Sequence, residues 1–360
     1  MSIDDRVRRR VRDEIRELHA YGVADASGLV KLDAMENPYT WPEEIREAWL
    51  ARLRTVDVNR YPDPEASALQ GRLREAMEVP DGQAVLLGNG SDEIIQMILL
   101  ALGRPGAVVL APSPTFVMYA ITAQFTGMEF VGVPLRAEDF GLDREAMLAA
   151  IRARDPAAVF LAYPNNPTGN LFDTGDIEAI LSETSGLVVM DEAYHAFAGA
   201  SFMDRLGEFE NLVVMRTVSK LGLAGLRLGV LAGPGQWLAE FNKVRLPYNI
   251  NVLTQVTAEF ALERRDWLEQ QTLLIREERA RVAQALADMS GIRVWPSDAN
   301  FILFRTSERE AGEVHARLRD AGVLIKKLDG SDPQLAGCLR VTIGTPEEND
   351  AFLSAVAGLL

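Results

Sequence analysis

Cysteine is almost absent from this 360-residue chain, and the single Cys338 excludes an internal disulfide framework and any thiolate cluster for zinc or an iron–sulfur centre. Histidine is nearly as scarce: His19, His195 and His315 are scattered without paired ligand spacing, so no metal site is expected. Positive charge is in deficit too. Against 52 acidic side chains stand 37 basic ones, and the net charge of −15 repels phosphate backbones and anionic lipid. Neither nucleic acid nor a membrane surface is therefore an expected partner. No apolar run approaches the roughly 20 residues needed to span a bilayer, and no fixed-period repeat or low-complexity tract is visible. A reduced chain of cytoplasmic type is expected.

What is present is ordinary globular material: 48% hydrophobic and 25% charged residues, enough for about two domains at roughly 100–200 residues each. The basic run Arg6, Arg8, Arg9, Arg10 and Arg12 has the charge of a targeting segment but not its pattern. No apolar stretch follows, acids are interleaved, and Val7, Val11, Ile15 and Leu18 recur at helical spacing. The expectation is an amphipathic helix lying on the protein's own body.

Beyond this arm, short apolar runs alternate with helical stretches. Strands are expected at Ala84–Leu87, Ala107–Leu110, Glu129–Val133, Ala158–Tyr163, Leu187–Met190, Leu212–Arg216 and Leu228–Ala232, with a helix from Ser91 to Leu102. That rhythm predicts an α/β architecture whose mostly parallel, seven-stranded sheet is covered by helices on both faces. From about Thr254 to Met289 the chain turns helical and charged. Strands then follow at Ile292–Trp295, Asn300–Arg305, Val323–Lys326 and Cys338–Ile343, with a helix at Glu308–Ala321, as in a smaller α+β unit. The expected organisation is an N-terminal arm over 1–40, a large domain over 41–255 and a small C-terminal domain over 256–360.

Ligands of such sheets sit beyond the carboxyl ends of the strands, and polar residues collect there: Asn89, Asn166, Asp191, Ser219 and Lys220. A lysine amine condenses with an aldehyde cofactor, and the neighbouring Thr217 and Ser219 hydroxyls with Arg227 suit a phosphate. Asp191 ends a buried-looking strand, where a carboxylate can pair with a protonated pyridine nitrogen. Tyr194 and Asn166 can each bond a ring oxygen, and Gly90-Ser91-Asp92 opens a helix whose N-terminus favours an anion. Each residue alone has a plainer reading: a solvated lysine, a helix-capping Asp191, a packed Tyr194, a turn at Asn166, a well-capped helix at Ser91.

Taken in order, the segments Leu32-Asp33-Ala34-Met35-Glu36-Asn37-Pro38-Tyr39, Arg60-Tyr61-Pro62-Asp63, Gly88–Glu93, Pro114-Thr115-Phe116, Asn165–Gly169, Asp191–Tyr194, Ser219-Lys220, Ala299-Asn300-Phe301 and Leu339–Thr345 resemble the fold-type I pyridoxal-phosphate enzymes of the aminotransferase superfamily. Nearly the whole chain is similar to the histidinol-phosphate branch. The resemblance implies pyridoxal 5′-phosphate held as an aldimine on Lys220, with Asp191 on the pyridine nitrogen, Tyr194 and Asn166 on the phenolic oxygen, and Phe116 stacked on the ring. It further implies that Gly90, Ser91, Asp92, Thr217, Ser219 and Arg227 hold the cofactor phosphate. Tyr61 would join them from a second subunit, hence a homodimer. At the substrate end it implies Tyr21, Asn37, Lys327 and Arg340. Lys327 stands where an arginine is frequent, keeping the charge but losing the bidentate fork; with Lys326 it also reads as a solvated pair, and Tyr21 as a packing residue. Arg340, among apolar strand neighbours, needs a buried partner, which a ligand anion supplies.

The implied reaction moves the amino group of L-histidinol phosphate to 2-oxoglutarate. Against a net charge of −15, a phosphorylated substrate then requires a local positive pocket. A threonine-phosphate decarboxylase and an aromatic or broad-range aminotransferase are the rivals on the same scaffold. A cofactor-sensing regulator would need a DNA-binding domain for which no basic recognition helix is visible.

Overall fold

A computed structural model of the protein describes residues 1–20 and 22–359. Among the described residues, twelve strands form two sheets. In chain order they are β1 (Val30–Leu32), β2 (Ala84–Gly88), β3 (Val108–Ser113), β4 (Glu129–Pro134), β5 (Ala158–Ala162), β6 (Leu187–Asp191), β7 (Leu212–Thr217), β8 (Gly229–Gly233), β9 (Ile292–Val294), β10 (Phe301–Thr306), β11 (Val323–Lys327) and β12 (Cys338–Thr342). The larger sheet has seven strands in the order β2-β8-β7-β6-β5-β3-β4. All run parallel except β8, which is antiparallel to both of its neighbours. The smaller sheet, β1-β11-β12-β10-β9, is antiparallel apart from the β1–β11 pair.

The central strands are buried on both faces, and their side chains sort by the two-residue period of a strand. Val188, Met190, Leu212 and Val214 pack under the helices Arg144–Arg154 and Thr174–Glu183. Leu187, Val189, Val213 and Met215 pack under the helices Ser91–Leu102, Met118–Thr126 and Gly235–Asn242. The same alternation runs on past the last apolar residue. Asp191 and Thr217 fall on the second face, Glu192 and Arg216 on the first.

On the first face Glu192 and Arg216 form a buried ion pair at 2.8 Å. Its valences are filled: Arg216 also donates to the Met77 carbonyl and the Ser201 hydroxyl, and Glu192 accepts from the Phe202 N–H. The pair ties the ends of β6 and β7 together one residue away from Asp191 and Thr217. A buried arginine left without its carboxylate is strongly unfavourable, so Glu192→Ala is expected to cost about 3–5 kcal/mol of stability. A denaturant midpoint within error of the parent would overturn this.

The chain turns back from β7 into β8 without a crossover helix, which an antiparallel neighbour permits. That return carries Lys220 and Arg227. Gly229 pairs with both Thr217 and Gly88, so the ends of β2 and β7 and the start of β8 meet at one point.

The strands expected from the sequence are present, with ends shifted by a few residues. The helical stretch after Thr254 is two helices, Val252–Leu262 and Arg265–Ala287, and the latter covers the smaller sheet with Ala311–Asp320 and Pro346–Ala357. The N-terminal helix departs from expectation. It is split into Ile3–Arg10 and Asp13–Arg16, neither piece buries a residue, and Val7 and Val11 are exposed. Only the second piece is tied down, through Arg12 on the Phe125 carbonyl and Gln124 on the Glu14 carbonyl. A stripe of Ile3, Val7 and Val11 among five arginines offers too little apolar area to dock the first piece on its own chain.

Candidate active site

The site lies at the carboxyl ends of β5, β6 and β7, against the smaller sheet. Lys220 opens the turn after β7, where burial lowers its amine to about 8 and the positive charges of Arg340 and Arg227 add to the effect. Its Nζ lies 3.4 Å from the Ala34 carbonyl and over the Tyr194 ring. Asp191 closes β6, buried, and burial raises its carboxyl to about 6 even though it accepts hydrogen bonds from Tyr119 Oη at 2.5 Å and the Ala193 N–H at 3.1 Å. Without those two donors it would rise further. His195, adjacent to Tyr194, is turned away. Its Nδ1 lies 3.1 Å from the Glu192 carbonyl, and burial lowers it to about 3, so the imidazole is uncharged at neutral pH.

Asn166, beyond β5, links two walls. Its amide donates to Tyr194 Oη at 3.1 Å and its carbonyl accepts from Arg340, which also donates to the Asp33 carbonyl at 3.2 Å. Tyr194 and Arg340 share Phe301 as a base: the Tyr194 ring meets it edge-on at 5.2 Å and the guanidinium lies over it.

At the other end, Gly90 precedes the helix Ser91–Leu102 with φ +90°, a conformation open to glycine. A Cβ there would sit 2.7 Å from Arg227 Nη2, and one on Gly229 would meet the Gly90 backbone at 2.7 Å. Thr217 Oγ1 lies 2.9 Å from Ser219 Oγ, Arg227 reaches Asp92 at 3.4 Å, and Asp92 Oδ1 is buried without a hydrogen-bond partner. N–H groups at a helix start, hydroxyls and a guanidinium thus face one cradle, the donor set of an anion site.

Ser91, Asp92, Thr217, Ser219 and Arg227 line one cavity with Lys220, Asp191, Tyr194, Asn166 and Phe116, about 110 Å³ in volume. A second cavity of about 410 Å³ adjoins it and is lined by Arg340, Lys326 and Lys327. Two expected residues stand apart. Tyr61 is 80% exposed and stacked on Tyr248 at 4.4 Å, away from both cavities. Asn37 lines neither, its side chain bonded to Gln271 and to the Tyr39 N–H. Tyr21 lies outside the described residues.

The family model for aminotransferase class I and II matches residues 27–356. The chain is 57% identical to histidinol-phosphate aminotransferase 2 of Nitrosococcus oceani, covering 98% of each. It is also 57% identical to histidinol-phosphate aminotransferase 2 of Cupriavidus pinatubonensis, covering 98% of this chain and 97% of the relative. The chain belongs to the histidinol-phosphate aminotransferase family. Among solved structures, that of histidinol-phosphate aminotransferase from Sinorhizobium meliloti in complex with pyridoxal-5′-phosphate superposes with a TM-score of 0.84 at 25% identity, covering 98% of each chain.

Several residues of this family member's site escaped the sequence reading. Tyr119 bonds Asp191 across 72 positions, and only its place one helical turn after Phe116 hints at it. Lys326 sits directly across the β11–β12 pair from Arg340, so it shares that face, which strand alternation makes readable once the register is known. Met35 lines both cavities, and nothing in its residue type signals that.

Proposed function

We propose that this member of the histidinol-phosphate aminotransferase family transfers the amino group of L-histidinol phosphate to 2-oxoglutarate, giving imidazole-acetol phosphate and L-glutamate, a cytoplasmic step of histidine biosynthesis. The observation that carries the reading is the adjacency of two unlike cavities. One holds a part-buried amine shifted to about 8 facing a carboxylate raised to about 6. The other concentrates Arg340, Lys326 and Lys327 in a chain whose overall charge is −15. The first suits an amine-transfer cofactor, the second a phosphorylated donor.

The residues present fit pyridoxal 5′-phosphate. The cradle at Gly90, with the backbone N–H groups at the helix start, the Thr217 and Ser219 hydroxyls and Arg227, suits its phosphate. Asp191 suits its ring nitrogen, Phe116 its ring face, Tyr194 and Asn166 its phenolic oxygen. Lys220 is the amine that would hold its aldehyde carbon. Bound there, the cofactor supplies an electron sink that lets the donor's amine-bearing carbon release a proton.

The chain's own residues account for the rest. Asp191, already costly to ionise, is stabilised as a carboxylate by a cation placed beside it and keeps that cation protonated. Lys220, titrating near neutrality, accepts the proton at Nζ when neutral and returns it when charged, the condition for a general acid–base that works in both directions. Arg340, held on Phe301, Asn166 and the Asp33 carbonyl, orients the donor's anion. Lys326 and Lys327 add charge around it, offsetting the field of the acidic surface. 2-Oxoglutarate would use the same cations in the return half of the cycle.

The reading includes a homodimer. The exposed Tyr61–Tyr248 stack, with Val58 and Leu246 also exposed, is apolar surface of the kind a partner subunit covers. It would bring Tyr61 to the partner's phosphate cradle.

A single half-reaction tests the proposal. Cofactor-loaded protein mixed with L-histidinol phosphate, without keto acid, is expected to lose the visible band of its bound cofactor and to regain it on adding 2-oxoglutarate. A persistent band, with carbon dioxide released from phosphothreonine instead, would favour the decarboxylase. Faster conversion by phenylalanine or tyrosine would favour the aromatic aminotransferase.

A further inference from the structure

Met35 has φ +53°, a left-handed backbone that a side chain with a Cβ rarely adopts. Both of its peptide groups are fixed from the smaller sheet: its N–H donates to Thr342 Oγ1 at 2.9 Å and its carbonyl accepts from Asn300 Nδ2 at 3.0 Å. Asn300 is fully buried and Thr342 ends β12, two residues beyond Arg340. The preceding carbonyls are held as well, Asp33 by Arg340 and Ala34 by Lys220. An unfavourable conformation held by this many partners is over-determined, and such positions cluster at ligand sites.

The conformation aims the thioether into the site. Tyr194 Oη lies 3.3 Å from Met35 Sδ. Of the described residues lining the two cavities, only Met35, Phe116 and Asn166 are common to both. A donor whose amine reaches Lys220 while its anion reaches Arg340 must pass this threshold. Of these three, Asn166 is a polar amide bound to Tyr194 and Arg340 and Phe116 is a ring in edge-to-face contact with Tyr119, whereas Met35, its sulfur accepting from Tyr194 Oη, is the one with a soft, polarizable side chain beside the donor's path.

We propose that Met35 is a specificity-determining residue, selecting donors that carry a flat unsaturated ring on a branch from the amine-bearing carbon through a sulfur–ring contact. The inference rests on the donor reading given above. A sulfur–aromatic contact corresponds to roughly a 2- to 10-fold difference in binding.

The test compares two ligands that share an amine and a phosphate, L-histidinol phosphate and the ringless L-alaninol phosphate, on holoenzyme. The readout is the ratio of the half-saturation concentration for the first to the inhibition constant of the second. Met35→Ala is expected to raise this ratio about 10-fold and volume-conserving Met35→Leu about 3-fold, with kcat falling less than about 3-fold in each. The cofactor band and melting temperature report whether the variants are folded and loaded, and Met35→Leu decides should Met35→Ala fail to fold. Equal shifts for both ligands, or none, overturn the proposal alone. A parent enzyme that does not convert L-histidinol phosphate at all overturns the donor reading, and this proposal with it.

Discussion

Replacing Lys220 with alanine is expected to lower turnover at least about 10⁴-fold, the upper end of what a positioned general acid–base contributes. The argument starts from its environment. Burial, together with Arg340 and Arg227, brings the amine from 10.5 down to about 8. Near pH 8 about half of it is neutral, against well under about 1% for an ordinary lysine. That fraction lets one nitrogen both take and give a proton at physiological pH. Lys220→Arg separates charge from proton transfer, because the guanidinium preserves the positive charge but cannot lose its proton. It is expected to bind cofactor and remain as inactive as the alanine variant. The alanine variant also leaves space where the amine was, so added small primary amines should restore part of the turnover. Single-turnover rates for the two variants, with and without added amine, check this. Either variant retaining more than about 1% of parental turnover would remove Lys220 from the centre of the mechanism.

What made Lys220 visible in the sequence was its place after an apolar strand, and the same signal exposed Asp191, Asn166 and Ser219. Parallel strands buried on both faces read as unbroken apolar runs, and the first polar residue after such a run marks the end where ligands sit. Where side chains meet across the fold the sequence carried no such sign. Tyr119 reaches Asp191 from a helix 72 positions upstream, and Thr342 reaches Met35 from 307 positions downstream. Met35 is harder still, since a left-handed φ is expected of glycine or asparagine and is imposed here by Thr342 and Asn300. The strand at Val30–Leu32 is three residues long and owes its existence to β11, leaving no period to read. The C-terminal helix went unread, although Thr345-Pro346-Glu347-Glu348 forms a capping box with proline in the first turn. The split of the N-terminal helix followed from tertiary anchoring of Arg12, which helical spacing could not anticipate.

Asp191→Asn is expected to act in opposite directions with and without cofactor. In the cofactor-free protein the buried carboxyl titrates at about 6, against 3.8 when solvated. Between those values the folded state holds a proton that the unfolded state has released. Stability therefore falls as pH rises across that window and levels off above it. The loss is about 3 kcal/mol, from two pH units at about 1.4 kcal/mol each. Asparagine cannot ionise and escapes it. Cofactor-free Asp191→Asn should melt a few degrees above the parent at pH 8, and the difference should vanish near pH 3.5. With cofactor bound the order reverses, because a carboxylate that was a burden now has a cation beside it. Asparagine offers that cation only a dipole in a buried site, where fixed charge is worth most. Turnover of Asp191→Asn should fall about 10²- to 10³-fold, the range seen when one preorganised electrostatic group is removed. Melting curves of the cofactor-free proteins from pH 3.5 to 8, paired with half-reaction rates of the loaded ones, separate the two effects. Parallel melting profiles would mean that Asp191 is not the group ionising near 6. Undiminished turnover would mean that its charge does no work on the cofactor. A carboxylate that destabilises the empty protein and sustains the loaded one is the pattern expected of a residue kept for its chemistry.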